Sequence, residues 1–283
     1  MELKNPIAEG WYADPESRVY GDTVYIYVTH SLPFDEQKNL SLFYSKDLKS
    51  FTHAKDILAM ETFAGATSAI WAPSMVEKNG RYYIIFAANN IYHDGEPGGL
   101  YIGVSDTPIG PFRNVFEDGR PFLNRILWGA QPIDAHFYKE GNDVYLYYGG
   151  WGHMIVCRMS EDMRSYADAK EITPKDYVEA PYVMKEGDRY LLMYSSGNWM
   201  DGTYRVLCAS ADAPYGPFEN AREVLGNCEI ACGAGHNSAF FFGGKHYIAY
   251  HRRFYEDKNP HHRVLCIDEM RVENGEILPI VMT

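Results

Sequence analysis

Cysteine is scarce in this chain of 283 residues, and its spacing gives no sign of a covalent or metal framework. The odd number of cysteines and the lack of a Cys-x-x-Cys pair argue against a set of disulfides and against a zinc site. Cys208 and Cys266 fall at matching places in two of the repeats described below, so we expect small buried strand residues there. The five cysteines are Cys157, Cys208, Cys228, Cys232 and Cys266.

Long apolar runs and an excess of basic residues are also missing. No segment approaches the roughly 20 apolar residues of a membrane-spanning helix, and residues 1–6 lack the charged-then-apolar pattern of a secretory signal. We therefore expect a cytoplasmic protein, or a secreted or periplasmic one if a leader has been removed. With 26 basic and 38 acidic residues, the net charge is −12. Nucleic acids and anionic membranes attract clustered Lys and Arg, so we expect neither as a partner, and a neutral oligosaccharide fits better.

Helical periodicity is nearly absent, whereas aromatic residues are abundant. They make up 15% of the chain and include 23 Tyr. Flat rings pack well across the pleated face of a β-sheet, and they also stack on the apolar faces of sugars. The composition therefore favours an all-β protein and disfavours an α/β barrel.

One sequence unit recurs five times along the chain. In each copy an apolar strand leads into a tight turn and a second strand rich in Tyr, and a third strand follows. Gly, Asn and Asp in these turns supply the positive φ of tight hairpins. Copies two and four also share a Pro-x-Gly-Pro-Phe segment, at residues 108–112 and 214–218. The turns are Gly21-Asp22, Asn79-Gly80, Gly141-Asn142, Gly187-Asp188 and Gly243-Gly244.

The repeats predict a five-bladed β-propeller with four antiparallel strands per blade, in a single catalytic domain that spans residues 1–283. An ordinary β-sandwich is the alternative, and the five-fold recurrence of the hairpin argues against it. In the last blade we expect the outer strand at residues 276–281, because an edge strand tolerates Pro279. The predicted blades cover approximately residues 11–60, 70–118, 132–174, 178–226 and 235–283.

The first strand of each propeller blade lines the central channel, so its leading residues converge on one end of the axis. Carboxylates held close together cannot all ionise freely, and at least one pKa rises. Hydrolysis of a glycoside needs one protonated and one ionised carboxyl group, so a repeat position shared by three acids predicts an acid–base site. We assign that position to Asp14, Trp71, Asp134, Glu179 and His236.

This pattern resembles glycoside hydrolase family 43 over essentially the whole chain. By this resemblance Asp14 would be the general base and Glu179 the general acid, while Asp134 would orient Glu179 and raise its pKa. The family inverts configuration by a single displacement, which implies a base-to-acid separation of about 6.5–9.5 Å. His236 matches the position that in many members holds a hydrated calcium, or another small ion, through waters; no organic cofactor is implied. The motifs are Trp11-Tyr12-Ala13-Asp14-Pro15, Trp71-Ala72-Pro73, Ile133-Asp134, Glu179-Ala180-Pro181 and Gly235-His236.

Side chains in the loops around the predicted pocket are expected to contact the sugar. Arg252 follows the second strand of blade five, where it would reach a sugar hydroxyl or pair with one of the acids. Exposed aromatic rings would provide stacking platforms. The aromatic candidates are Trp11, Phe34, Trp71 and Trp128, with Trp151 and Trp199 beside them.

The resemblance implies a hydrolase that releases terminal β-D-xylosyl or α-L-arabinofuranosyl residues, or both, from xylan or arabinoxylan fragments. Three alternatives stay open. An endo-acting α-1,5-L-arabinanase would use the same acids in an open groove. A retaining propeller hydrolase of fructosides would carry Asn-Asp-Pro, Arg-Asp-Pro and Glu-Cys motifs, which this sequence lacks. A non-catalytic propeller would bind sugar without hydrolysing it.

Overall fold

Strands form nearly all of the regular structure in the computed structural model, which describes residues 3–283. The first two sheets contain β1 (Tyr12–Tyr20), β2 (Thr23–His30), β3 (Leu40–Ser45), β4 (Thr52–Lys55) and then β5 (Trp71–Lys78), β6 (Arg81–Ala88), β7 (Gly99–Ser105), β8 (Arg113–Asn114). The next two contain β9 (His136–Glu140), β10 (Asp143–Tyr148), β11 (Ile155–Met159), β12 (Tyr166–Glu171) and then β13 (Glu179–Glu186), β14 (Arg189–Ser196), β15 (Arg205–Ala211), β16 (Glu219–Leu225). The fifth contains β17 (Cys232–Phe242), β18 (Lys245–Arg253) and β19 (Val264–Met270), and a separate hairpin of β20 (Val272–Glu273) and β21 (Glu276–Ile277) follows.

Helices are short. The described residues form two 3-10 helices, Phe34–Glu36 and Met60–Thr62. Within residues 3–283, no helix has the length and apolar character needed to span a membrane.

Each sheet consists of strands that are consecutive in the chain and pair antiparallel in sequence order. Five hydrophobic clusters fill the gaps between neighbouring sheets, and one of them joins sheet five to sheet one, with Val28 and Ile267 as members. A β-sandwich has one core between two sheets, whereas these cores form a closed ring. The predicted all-β, five-bladed propeller is confirmed. Cys208 and Cys266 are buried in the cluster between sheets four and five, as expected.

The outer edge of the fifth blade differs from the prediction. Residues 276–281 contribute only the two-residue strand β21, which pairs with β20 and not with β19. The N-terminal segment covers the free edge of β19 instead: the amide of Ile7 donates to the carbonyl of Leu265 (3.0 Å), and Asn5 Nδ2 donates to the carbonyl of Ile267 (2.8 Å). This contact closes the ring, because it satisfies backbone groups that an exposed edge strand would leave unpaired.

The start of each blade has the same local irregularity. One residue there has a positive φ, and it lies six residues before the end of the first strand in every blade. In four blades the register of the first strand shifts at this point, as in a β-bulge. Bulges re-aim side chains and are common beside active sites. The five residues are Asp14 (φ 53°), Ala72 (48°), Asp134 (52°), Ala180 (61°) and His236 (42°).

Further along the first strands, a buried ion pair joins three blades across the channel. Arg18 Nη2 lies 2.5 Å from Glu16 Oε1 and donates to the carbonyl of Phe137 (2.7 Å), while Arg18 Nε donates to the carbonyl of Met75 (2.7 Å). Burial would raise the pKa of Glu16, but Arg18 and then His136 lower it below its usual value. The channel interior therefore carries a matched pair of charges at this level.

Candidate active site

A cavity of about 560 Å³ lies at the end of the channel where the first strands begin. The three predicted acids, Asp14, Asp134 and Glu179, all line it. His236 and Trp71 line it as well, so the five residues assigned to one position do meet in one place. The fold thus brings together side chains that are far apart in the sequence.

The predicted register is nevertheless wrong by one residue in two blades. Asp14 and Asp134 stand on the positive-φ position itself, whereas Glu179 precedes it and pairs with Ser195 of β14. Trp71 likewise precedes it and pairs with Ala87. The prolines carry the signal that would have given the right alignment, because they follow the positive-φ residue in three blades. They are Pro15, Pro73 and Pro181.

Asp14 is buried among positive and hydrogen-bonding groups. Arg263 Nη1 lies 2.9 Å from Asp14 Oδ1, and Nδ1 atoms of His251 and His236 lie 3.4 and 3.5 Å from the same oxygen. Burial would raise the pKa of Asp14, but Arg263, the two histidines and the hydroxyl of Thr29 outweigh it and lower the pKa to about 2. Asp14 is therefore ionised at neutral pH, as a general base must be.

Asp134 and Glu179 have the opposite electrostatic surroundings. Burial raises the pKa of Asp134 well above its usual value, and the negative charges of Glu179 and Asp14 add to the rise. Burial and then the charge of Asp14 also raise the pKa of Glu179, although the hydrogen bond from Tyr204 to Glu179 Oε1 (2.8 Å) works against this. Two acids with raised pKa values therefore share the cavity with one whose pKa is lowered, which is the arrangement that acid–base catalysis requires.

Tyr204 holds its position through close packing. Its ring stacks on that of His251, with centroids 5.8 Å apart and an interplanar angle of 7°. A Cβ atom at Gly235 would come within 2.1 Å of the Tyr204 ring, so only glycine fits there. This contact explains the glycine of the Gly235-His236 motif: it leaves room for the ring that carries the hydrogen bond to Glu179.

His236 lies between two of the acids, with its Nδ1 atom 3.5 Å from oxygens of both Asp14 and Asp134. Burial lowers the pKa of His236, so the ring is neutral at pH 7. Within residues 3–283, no group of three or more His, Cys, Asp or Glu side chains is arranged to hold a metal, and calcium prefers six to eight oxygen ligands. These residues do not fit a directly ligated calcium ion, and the predicted water-held ion stays a prediction.

Aromatic side chains form one side of the cavity, which we call the aromatic wall and define as Phe34, Trp71, Trp199 and His261. The Phe34 ring lies 4.8 Å from that of Trp71, 6.2 Å from that of Trp199 and 5.3 Å from that of His261, centroid to centroid. The Arg263 guanidinium lies 5.2 Å from the centroid of Trp199. Phe34 and Trp71 therefore lie where a sugar platform was predicted, and so do Trp151 and Trp199.

Three other predicted sugar ligands do not line the cavity. Trp11 stacks on His262 with ring centroids 4.1 Å apart. Trp128 is exposed but lies outside the lining. Arg252 is buried between blades four and five near Phe254, because its side chain points to the opposite face of β18 from His251. The structure thus places these three predicted residues outside the lining of the cavity that holds the acids.

Sequence reasoning missed Arg263 and Tyr204, which contact Asp14 and Glu179, two of the predicted catalytic acids. Arg263 directly precedes β19 and Tyr204 directly precedes β15. In an antiparallel sheet the third strand begins at the same end as the first, so residues just before a third strand belong at the active-site end. That rule, applied to each repeat, would have selected both residues.

Comparison with known proteins gives a family. The model of glycosyl hydrolases family 43 matches residues 3–277. The chain is 38% identical over 295 residues to the β-D-galactofuranosidase xynD of Aspergillus niger, covering 99% of this chain and 85% of that protein. It is 26% identical to a xylosidase/arabinosidase of Bacteroides ovatus, covering 95% of each.

Solved structures share the fold at lower identity. A thermostable family-43 glycoside hydrolase superposes with a TM-score of 0.83 at 22% identity, covering 100% of this chain and 96% of that one. A family-43 β-xylosidase/α-arabinofuranosidase from a compost metagenome, solved with xylotriose, superposes with a TM-score of 0.80 at 24% identity, covering 98% of this chain and 96% of the other.

Proposed function

The chain belongs to glycosyl hydrolases family 43, and we propose that this glycosidase releases terminal β-D-xylosyl or α-L-arabinofuranosyl residues from neutral oligosaccharides with inversion of configuration. One observation carries the mechanism: within one cavity the pKa of Asp14 is lowered and that of Glu179 is raised. An inverting hydrolase needs such a pair, because one carboxylate accepts a proton while the other carboxyl group donates one in the same step.

In the proposed reaction, Asp14 accepts a proton from a water molecule whose oxygen bonds to the anomeric carbon of the terminal sugar. The bond from that carbon to the leaving oxygen breaks, its electrons pass to the oxygen, and the oxygen takes the proton of Glu179. Mutual repulsion between Asp134 and Glu179 keeps a proton on this pair until the transfer. Arg263 holds Asp14 in place and ionised.

Substrates with different leaving groups test the two roles separately. Glu179→Gln should lower kcat on xylobiose or arabinobiose by about 10²–10⁴-fold, the usual contribution of a general acid. It should lower kcat much less on a dinitrophenyl glycoside, whose leaving group needs no proton. Asp14→Asn should slow both substrates alike, since both need the activated water. Near wild-type turnover of the disaccharides by Glu179→Gln would remove the mechanism.

Product analysis separates the proposal from its open alternatives. Proton NMR should show the inverted anomer as the first-formed sugar, whereas a retained anomer would indicate double displacement, as in the fructoside alternative. Linear arabinan should yield single sugars from an exo-acting enzyme and oligosaccharides from an endo-arabinanase.

A second candidate substrate is a terminal β-D-galactofuranosyl residue, which the 38% sequence identity to a β-D-galactofuranosidase favours. The ring of β-D-galactofuranose has the configuration of α-L-arabinofuranose and adds one hydroxymethyl group outside the ring. A pocket for one sugar therefore suits the other if it has room beyond the ring. Relative kcat/KM on the nitrophenyl glycosides of arabinofuranose, galactofuranose and xylose decides among them.

The predicted ion is kept outside this mechanism, because His236 is the only metal-binding candidate that the sequence offered and its neighbours are already engaged. A water-held calcium would raise the thermal midpoint when Ca²⁺ is added after dialysis against EDTA. An unchanged midpoint would count against the ion.

A further inference from the structure

His261 is a half-buried side chain on the aromatic wall that the proposed reaction leaves without a task. It lies two residues before Arg263, in the connection between β18 and β19, and lines the cavity. Its ring contacts Phe34 edge-on at 5.3 Å and lies 5.6 Å from Trp199. It is therefore placed beside the group that anchors the proposed base.

The connection that carries His261 is held rigidly by its own side chains. The amide of His261 donates to Asn259 Oδ1 (3.0 Å). The neighbouring His262 contacts Asp257 Oδ2 through Nδ1 (2.5 Å), and its ring stacks on Trp11. A side chain fixed in this way before substrate arrives loses little freedom on binding. Trp11 thus acts behind the cavity, by supporting the residue next to His261.

The two ring nitrogens of His261 differ in their surroundings. Nδ1 is buried and has no hydrogen-bond partner among residues 3–283. Burial, Arg263 and His262 all lower the pKa of His261, so the ring is neutral at pH 7. A neutral imidazole carries one proton, and a buried N–H without an acceptor costs more than a buried lone pair of weak basicity. The proton therefore belongs on Nε2, which is not among the buried unpartnered nitrogens, and the ring that carries it lines the cavity.

We propose that His261 is a specificity-determining residue that donates a hydrogen bond from Nε2–H to one hydroxyl of the terminal sugar. The inference rests on the proposed function, in which Asp14 stands next to the anomeric carbon of that sugar. Arg263, which contacts Asp14, follows His261 by two residues, and all three side chains line the same cavity. A site built to bond a sugar hydroxyl discriminates strongly against sugars in which that hydroxyl is absent or displaced.

Substitution of His261 by residues of similar size separates the hydrogen bond from the packing. His261→Phe keeps the ring contacts with Phe34 and Trp199 and loses the donor, so kcat/KM should fall about 10–100-fold on the best nitrophenyl glycoside. His261→Gln keeps an N–H donor and should recover part of the loss. His246→Phe, at the other end of β18, is the matched control and should behave as wild type.

Deoxy substrates give the readout that a structural role would not move. When one ring hydroxyl after another is replaced by hydrogen, His261→Phe and the wild type should become equal at one position only. The same loss of kcat/KM in His261→Phe, relative to the wild type, on every deoxy substrate would overturn the inference. Calorimetric binding of xylobiose or arabinobiose to Glu179→Gln, with and without His261→Phe, tests the same hydrogen bond without turnover. Weaker binding in the double variant supports the inference and unchanged binding overturns it, whereas absence of wild-type hydrolysis on every glycoside would overturn the proposed function alone.

Discussion

Asp14 and Asp134 occupy the same position in two blades, yet the pKa of Asp14 is lowered and that of Asp134 is raised. Both stand on the positive-φ residue of the first strand, and they are 6% and 7% exposed. Burial alone would raise both pKa values. Arg263 and its neighbours lower that of Asp14 to about 2, whereas the charges of Glu179 and Asp14 raise that of Asp134 further. The repeat places the carboxylates, and the charges next to each one decide whether its pKa rises or falls.

Glu16 follows the same rule further along the channel. It is 3% exposed, but Arg18 lies 2.5 Å away and the pKa of Glu16 is lowered. Among these three buried acids, the two with an arginine in contact have a lowered pKa, and the one without has a raised pKa. Replacing the contacting arginine is therefore the most direct way to remove the difference in pKa between these acids.

The largest expected effect comes from Arg263→Met. Without the guanidinium, the pKa of Asp14 should rise because burial is less opposed. The acid limb of the kcat/KM profile should then move to higher pH, because in the proposed mechanism only ionised Asp14 activates water. Loss of a charge-assisted hydrogen bond should also lower kcat/KM at the optimum by about 10–100-fold. Arg263→Lys keeps a positive charge and should keep the acid limb closer to its original pH. An unmoved limb in Arg263→Met would show that Arg263 does not control Asp14.

A smaller effect is expected on stability, with opposite signs for the two equivalent acids. The folded pKa of Asp14 lies below its unfolded value, so Asp14 stabilises the fold above about pH 4, and this contribution is lost as the pH falls through about 2. The folded pKa of Asp134 is raised, so Asp134 costs stability once the pH exceeds its unfolded value of about 4. Asp14→Asn should therefore lower the thermal midpoint at pH 7, and Asp134→Asn should raise it.

Thermal scans at pH 7 and pH 4 check this contrast. The gain from Asp134→Asn should shrink toward pH 4, where the wild-type carboxyl is protonated in both folded and unfolded chains. The exposed ion pair between Lys245 and Glu269 offers a control. Lys245→Met removes this surface pair and should change the thermal midpoint little. Changes of the thermal midpoint with opposite signs in the two variants would support the contrast between the two acids. A midpoint lowered by both variants would contradict that contrast.

The sequence carried the repeat, because hairpin turns and strand composition are local signals. It therefore predicted the propeller, and it brought Asp14, Asp134 and Glu179 to one cavity. The sequence-based prediction failed where a contact joins segments that are far apart in the chain. The outer edge of blade five is covered by the segment around Ile7, and no local pattern in residues 3–10 indicates an edge-covering role.

The same limit explains the errors at the site. The position of Arg252 after a second strand predicts a sugar contact, but side chains alternate along β18, so Arg252 points away from Asp14 while His251 contacts it. Arg263 and Tyr204 were missed because single residues before a strand carry no motif. Whether a buried carboxyl group keeps its proton depends on such neighbours, so the roles of the acids came from family resemblance and not from spacing.

The smallest expected effect comes from removing the hydrogen bond that Tyr204 donates to Glu179. Tyr204→Phe removes the bond to Glu179 Oε1 (2.8 Å) and keeps the ring that stacks on His251 and fills the space over Gly235. That bond lowers the pKa of Glu179, so its loss raises the pKa further. Because Glu179 acts in its protonated form in the proposed mechanism, the alkaline limb of the kcat/KM profile should move to higher pH, with less than about a tenfold change at the optimum. The acid limb, which follows Asp14, should stay in place. If both limbs moved together, Tyr204 would be setting the shape of the whole cavity. The contrast between Asp14, with its lowered pKa, and Glu179, with its raised pKa, would then fail.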